Sequence, residues 1–199
     1  MSYAIIGFGK IGHALAKAFA RKGIAVSVAT TRDPDSFASD AAAIGDTVIP
    51  RTLAEAVKAD IIFLAVRFES HRDVAKALST WQGKTIVDVT NAYGVSPDEL
   101  GGQPSSQFIA HAFSGARLVK GFNHLIAATL GQNPAVHGGR RVVFLASDDD
   151  AAAAEIGTVA ETLGFAPINL GGLSDGGLLV QARGSSWGQL IFNDLVKFD

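Results

Sequence analysis

The sequence predicts an α/β fold: a doubly wound, mostly parallel sheet with helices on both faces, in a single compact domain. Three observations carry that reading. Short apolar runs alternate with segments of helical period along most of the chain, the pattern of repeated βαβ units. Hydrophobic residues make up 48% and charged residues 18% of 199 residues, enough for a sizeable core in one domain. No internal repeat, low-complexity tract or Pro/Ser-rich linker interrupts the chain, so residues 1–199 read as one unit, with a C-terminal helical segment 174–199 belonging to it.

The elements follow in order. Strands are predicted at Tyr3–Gly7, Ala25–Ala29, Ile61–Ala65, Thr85–Val89, Leu118–Gly121, Arg141–Ala146 and Ala166–Leu170, with Thr47–Ile49 a further short one. The first helix is marked by Ile11, Ala14, Leu15, Ala18 and Phe19 at i, i+3, i+4, i+7 and i+8, and Gly23 supplies its stop. Thr52…Glu55 and Ser70…Asp73 are capping-box patterns that open the next two helices. Asp148-Asp149-Asp150 precedes Ile156, Val159, Ala160 and Leu163 at helical spacing, which favours a helix cap over a metal site. The run Gly171–Gly177 reads as a hinge or active-site loop. Trp187, Leu190, Ile191, Leu195 and Phe198 suggest a last amphipathic helix, a candidate surface for a homodimer.

Composition excludes several classes. A net charge of −2 gives no broad basic field for nucleic acid or an anionic membrane. Without cysteine there is no disulfide, thiolate metal site or thiol nucleophile, and no histidine pair falls at metal-ligand spacing, so no metal is expected. No apolar run approaches the roughly 18 residues of a membrane span, and a strand begins at Tyr3, so a cytoplasmic protein is expected.

Chemistry is concentrated in Gly7-Phe8-Gly9-Lys10-Ile11-Gly12, a match to G-x-G-x-x-G. With 22 glycines, chance alone would supply these offsets about 0.3 times per chain. Context strengthens the match, because the motif leaves an apolar strand, opens the periodic helix and is followed by a second strand. That is the dinucleotide-binding turn of a Rossmann-like fold. Gly7 allows the sharp turn, Gly9 admits a pyrophosphate, Gly12 lets helix and sheet lie close, and the free N–H groups at the helix start face the anion. Thr30-Thr31-Arg32 ends the second strand about 20 residues further on. Hydroxyls and a guanidinium there suit a 2′-phosphate, so NADP(H) is the expected cofactor, with Asp33 the one dissenting carboxylate.

The ordered set of the glycine turn, Thr31-Arg32, Ala65-Val66-Arg67-Phe68, Val87 to Asn91, Gly121-Phe122-Asn123-His124, Ser147 to Asp150 and Leu170 to Leu173 resembles the NADP reductases that work with the deazaflavin coenzyme F420. The resemblance spans nearly the whole chain. It implies hydride transfer between nicotinamide and a flat redox coenzyme, F420 or a flavin, as co-substrate. It places Ala65, Val66, Arg67 and Phe68 under the cofactor and sets Asn91, Phe122, Asn123 and His124 around the nicotinamide, with Asn123 and His124 as catalytic candidates. The chain departs from F420-using members at Phe8, where they often carry threonine, and at Arg67, where they often carry proline. Two other functions remain open: reduction of a small carbonyl or imine substrate, and a non-catalytic NADP-binding module. Of the other histidines, His13 and His71 read as solvated, His111 as a packing residue and His137 as a loop residue. Asp88, inside an apolar run, reads as a strand-end hydrogen-bonding group.

Overall fold

The structure, a computed structural model, describes residues 1–96, 98–182 and 195–197. Strands β1 (Tyr3–Ile6), β2 (Val26–Ala29), β3 (Val48–Pro50), β4 (Ile61–Leu64), β5 (Thr85–Asp88) and β6 (Arg117–Gly121) run parallel in the order β3-β2-β1-β4-β5-β6. This order steps outward from β1 in both directions, the arrangement of the doubly wound dinucleotide fold. Each expected strand is present, with ends shifted by a residue or two. Beyond β6 the direction changes. β7 (Ala135–Val136) and β8 (Gly139–Ala146) form a hairpin; β8 pairs antiparallel with β6, and β9 (Ala166–Asn169) pairs parallel with β8.

Strand alternation sends successive side chains to opposite faces. Ile5, Phe63, Val87 and Val119 face one core, under α1 (Lys10–Arg21), α2 (Ala38–Ile44), α6 (Ala127–Leu130) and α7 (Asp150–Thr162). Ala4, Ile62, Ile86 and Leu118 face the other, under α3 (Leu53–Ala56), α4 (His71–Ala75) and α5 (Ser105–Ala112). The stripe of α1 is buried as its spacing predicts, and Gly23, at φ +65°, closes the helix in the left-handed region that glycine tolerates.

The capping signals divide. Thr52 and Glu55 form the full reciprocal box on α3. Ser70 makes no cap: it ends a 3-10 turn over Phe68–Ser70 that runs straight into α4, so its backbone is already helical, and Asp73 instead pairs with Lys76 at 2.8 Å. Asp149 caps α7, accepting from the Ala152 N–H at 2.9 Å. Asp148 accepts from the Leu173 N–H at 2.8 Å, and the Gly171 carbonyl accepts from the Ser147 N–H. With Leu173 buried, the glycine-rich loop, expected as a hinge or active-site loop, is pinned at both of these points. It leads into the short α8 (Gly176–Leu179).

The C-terminal expectation needs correction where it can be compared. Leu195, placed by periodicity on a helix, lies in β10 (Leu195–Lys197), antiparallel to the start of β8. The first residues of β8 offer backbone groups that a strand can satisfy, and this pairing overrides a helical stripe. Trp187, Leu190, Ile191 and Phe198 lie outside the described residues.

Candidate functional site

Strand order reverses at β1 and β4, and the chain leaves the carboxyl ends of these two strands through Gly7 and Ala65. Open α/β sheets bind ligands in such a crevice. Gly7 sits at φ +102°, and a Cβ there would lie 2.3 Å from the Ala65 carbonyl oxygen. A Cβ on Gly12 would lie 2.0 Å from the Gly7 carbonyl oxygen. Both glycines are therefore required by chain packing. Gly9 is different. It caps α1 with no side-chain hydrogen bond, is exposed, and has nothing within 4 Å of a built Cβ. Open space at a helix N-terminus, with its unsatisfied N–H groups, suits a phosphate.

Two cavities of about 470 Å³ each meet at this turn and share Gly9, Ala65, Val66 and Arg67 as a common wall. One extends past Phe8 to the end of β2, where Thr30, Thr31 and Arg32 line it with Leu53, Ser70 and Asp73. The Thr30 hydroxyl accepts from the Arg32 N–H at 2.9 Å and shapes this corner. The Arg32 guanidinium is exposed and stands 5.7 Å from the Phe37 ring centre. Asp33 does not line the cavity; its carboxylate accepts from the Asp35 N–H at 2.9 Å and caps the 3-10 turn Pro34–Phe37. The other cavity runs toward β5, lined by Lys10, Ile11, Phe68, Glu69, Val89, Thr90, Asn91 and Tyr93.

Asn91 is thus at the cavity, whereas its expected neighbours stand behind it. Phe122 is fully buried among Phe63 and Phe165, so its ring belongs to the core and not to a ligand contact. Its φ of +61° turns the chain sharply off β6, and that turn carries the following residues inward. Asn123 is 4% exposed; its Nδ2 donates to Asn91 Oδ1 at 3.0 Å and to the Val180 carbonyl at 2.8 Å, while Asn91 Nδ2 donates to the Asn123 carbonyl. This amide clasp joins the ends of β5 and β6 to the segment after α8. His124 is 3% exposed and packs 4.8 Å from the Phe144 ring, on the wall of neither cavity.

Beneath the second cavity lies a pair that sequence reading missed. Lys120 and Asp88 are 1% and 0% exposed, with Nζ 3.1 Å from Oδ2. Asp88 also accepts from the Thr90 N–H at 2.9 Å, the Thr90 hydroxyl at 2.8 Å and the Ser106 hydroxyl at 3.0 Å, and Lys120 donates to the Thr90 carbonyl. Burial pushes the Lys120 ammonium below its ordinary pKa, an effect the neighbouring Asp88 charge opposes. Three remaining histidines also depart from expectation. His13 is half-buried, stacked on Phe8 at 3.9 Å, with Nδ1–H donating to the Gly9 carbonyl. His71 is buried, with Nδ1 against the Phe68 carbonyl, because the helix starts one turn earlier than its capping pattern implies. His111 is exposed on the outer side of α5, whose inner side is filled by Ile109.

Residues 2–92, which include the glycine turn and both cavity-lining loops after β2 and β4, match the family described as NADP oxidoreductase coenzyme F420-dependent. A crystal structure of a hypothetical protein from Sinorhizobium meliloti superposes with a TM-score of 0.90 at 34% identity, covering 100% of this chain and 96% of the other. The match to the NADP oxidoreductase, coenzyme F420-dependent, family thus covers just under half of the chain, its N-terminal part. A provisionally named F420-dependent NADP-reductase from Arthrobacter sp. FB24 shares the fold at TM-score 0.69 and 24% identity, covering 96% of this chain and 90% of that one. Metalloreductase STEAP3 of Rattus norvegicus is 27% identical over 172 residues, 85% of this chain. The chain spans about a third of the length of that relative, 34%. Among the described residues, no helix is long and apolar enough to cross a membrane.

Proposed function

We propose that this protein is an NADP(H)-dependent oxidoreductase that passes hydride between nicotinamide and a flat redox coenzyme, F420 or a flavin. The observation that carries the reading is the pair of cavities joined at Gly9 and Arg67, one of which ends in Thr31 and Arg32 with Asp33 turned to a capping role. The fit to a dinucleotide rests on Gly9, whose missing side chain leaves the helix start open to a pyrophosphate. Thr31 donates a hydroxyl and Arg32 a charged fork to a 2′-phosphate. Bound across both cavities, NADPH would supply the hydride, with Val89, Thr90 and Asn91 on the wall of the cavity that receives its nicotinamide half. The protein's part is to hold this wall rigid and to leave the cavity open to a second flat ring, so that positioning supplies most of the acceleration. The Asn91–Asn123 clasp and the Asp88–Lys120 pair give the wall that rigidity.

A buried His124 behind the wall favours a flat acceptor over a small carbonyl or imine, whose reduction needs a proton donor at the reacting atom. The same reading takes the working unit as a cytoplasmic homodimer; a 20.7 kDa particle in light scattering would contradict the dimer. The direct test follows nicotinamide absorbance with NADPH and either oxidised F420 or FMN, together with Arg32→Ala. NADPH binding should weaken by about 1.5–3 kcal/mol in that variant, the worth of a hydrogen bond to a charged group. NADH binding should hardly change. Equal losses for both nucleotides would place the 2′-phosphate elsewhere.

A further inference from the structure

A third, smaller cleft of about 200 Å³ separates α1 from α6. Lys10, His13 and Lys17 line one side, Ala127, Ala128 and Gln132 the other, and no carboxylate lines it. Spacing of three and seven residues puts the three basic groups on one face of α1. Lys10 and Lys17 are separated by about 10 Å along the helix axis, at 1.5 Å per residue. Among the described residues neither lysine forms an ion pair, although the chain carries 19 Asp and Glu against 17 Lys and Arg. Like charges gathered without a counter-charge repel one another, and an anion entering the cleft would relieve that repulsion.

The cleft is also held in shape. Arg21 Nη1 donates to the Gly131 carbonyl at 2.7 Å and ties the end of α6 to the last turn of α1. The His13 ring is fixed by Phe8 beneath it and by its Nδ1–H bond to Gly9, which leaves Nε2 to serve a ligand. Small side chains at Ala127 and Ala128 keep the opposite wall low. Lys10 lines both this cleft and the cavity proposed to face the nicotinamide. A ring held in that cavity beside Ile11 and Tyr93 could therefore extend a flexible arm past Lys10 along α1.

We propose that this cleft binds the anionic arm, phosphate or carboxylate, of the hydride acceptor. The inference rests on the oxidoreductase reading above and narrows it: the acceptor is a ring coenzyme with a negatively charged tail, not a neutral carbonyl or imine compound. FMN and riboflavin carry the same ring and differ by one phosphate, so the pair isolates the arm. Each is titrated into NADP⁺-saturated protein by flavin fluorescence, a readout that needs no turnover, and a parallel titration uses F420 with its carboxylate-bearing tail. FMN or F420 should bind at least about tenfold more tightly than riboflavin at low salt, the scale of one charge-assisted hydrogen bond. The advantage should vanish in Lys17→Gln and shrink at high salt, where screening is strong. A Lys17-dependent advantage of FMN identifies a short arm ending in a phosphate monoester, and one of F420 alone identifies the longer arm of phosphodiester and carboxylates. Equal affinity of all three ligands, an advantage unchanged in Lys17→Gln, or no binding by any of them overturns the proposal. NADP⁺ affinity, measured separately, should be the same in wild type and variant; a wild type that fails to bind NADP⁺ would instead sink the oxidoreductase reading itself.

Discussion

Replacing Lys120 by methionine removes the charge from the most deeply buried ion pair among the described residues and keeps an unbranched side chain of similar length. Asp88 would then remain 0% exposed, with three neutral donors and no cation. Breaking one side of a buried pair costs about 3–5 kcal/mol, because the surviving charge is left uncompensated. Against a total stability on the order of 5–15 kcal/mol, that is a large fraction. Asp88→Asn should cost less than Lys120→Met, since an amide still accepts from Thr90 and the ammonium can shed its proton. The double variant leaves no buried charge, so it should be more stable than Lys120→Met alone. Urea midpoints followed by far-UV circular dichroism give the cycle, and its coupling energy should be at least about 1 kcal/mol, as for residues in direct contact. Simple additivity, or a Lys120→Met loss below about 1 kcal/mol, would refute the idea that the pair is held at low dielectric.

Gly9→Ala should keep the wild-type thermal midpoint within a few degrees while weakening NADPH at least about tenfold, because its Cβ enters ligand space; Gly12→Ala should lower the midpoint, because its Cβ meets the Gly7 carbonyl at 2.0 Å. A Gly9→Ala protein that binds NADPH normally would remove the pyrophosphate from this turn. His124→Ala should reduce turnover with a flat acceptor by about tenfold or less, short of the usual 10²–10⁴ for a general acid, and leave the pH profile in place; a hundredfold loss at intact NADPH affinity would favour the small-substrate reductase. Glu55, Asp60, Asp73 and Glu99 are held below their ordinary values by bonds from Thr52, Ser2, Lys76 and Ser96. The unfolded chain then binds more protons in acid, so their stabilisation is complete above about pH 4.5 and fades as pH falls through the lower folded values. Thermal melts from pH 7 to 3 should show this acid limb, and Ser96→Ala should make it shallower; an unchanged slope would discount the Glu99 contribution.

The strands and α1 were legible because burial imposes a period on sequence, and the glycine turn because backbone crowding at Gly7 and Gly12 leaves no other residue. Thr52 and Glu55 were legible as a local pattern, but the same pattern at Ser70 and Asp73 failed once a 3-10 turn preceded the helix. Phe122 and His124 misled because adjacency to a strand end does not fix direction: a left-handed residue turned the chain into the core. Asp88 was read as a strand-end hydrogen-bonding group, which its bonds from Thr90 and Ser106 bear out, but Lys120 as its partner was the missed signal. Two opposite charges, each inside an apolar run, mark neighbouring buried strands, since neither could be buried alone. Leu195 shows the remaining limit, because strand pairing at the start of β8 depends on a partner distant in sequence.

The shared wall between the two larger cavities has a consequence for fragments. A ligand with two ends joined over Gly9 and Arg67 meets the second cavity as an intramolecular event once the first is filled. Short flexible tethers give effective concentrations in the millimolar range. Each half of a dinucleotide offered alone forfeits that advantage, so 2′-phospho-AMP and nicotinamide mononucleotide together should bind far less tightly than the intact molecule. If one dinucleotide fills both cavities, the wall they share at Gly9 and Arg67 makes the link between its heads count as much as either head.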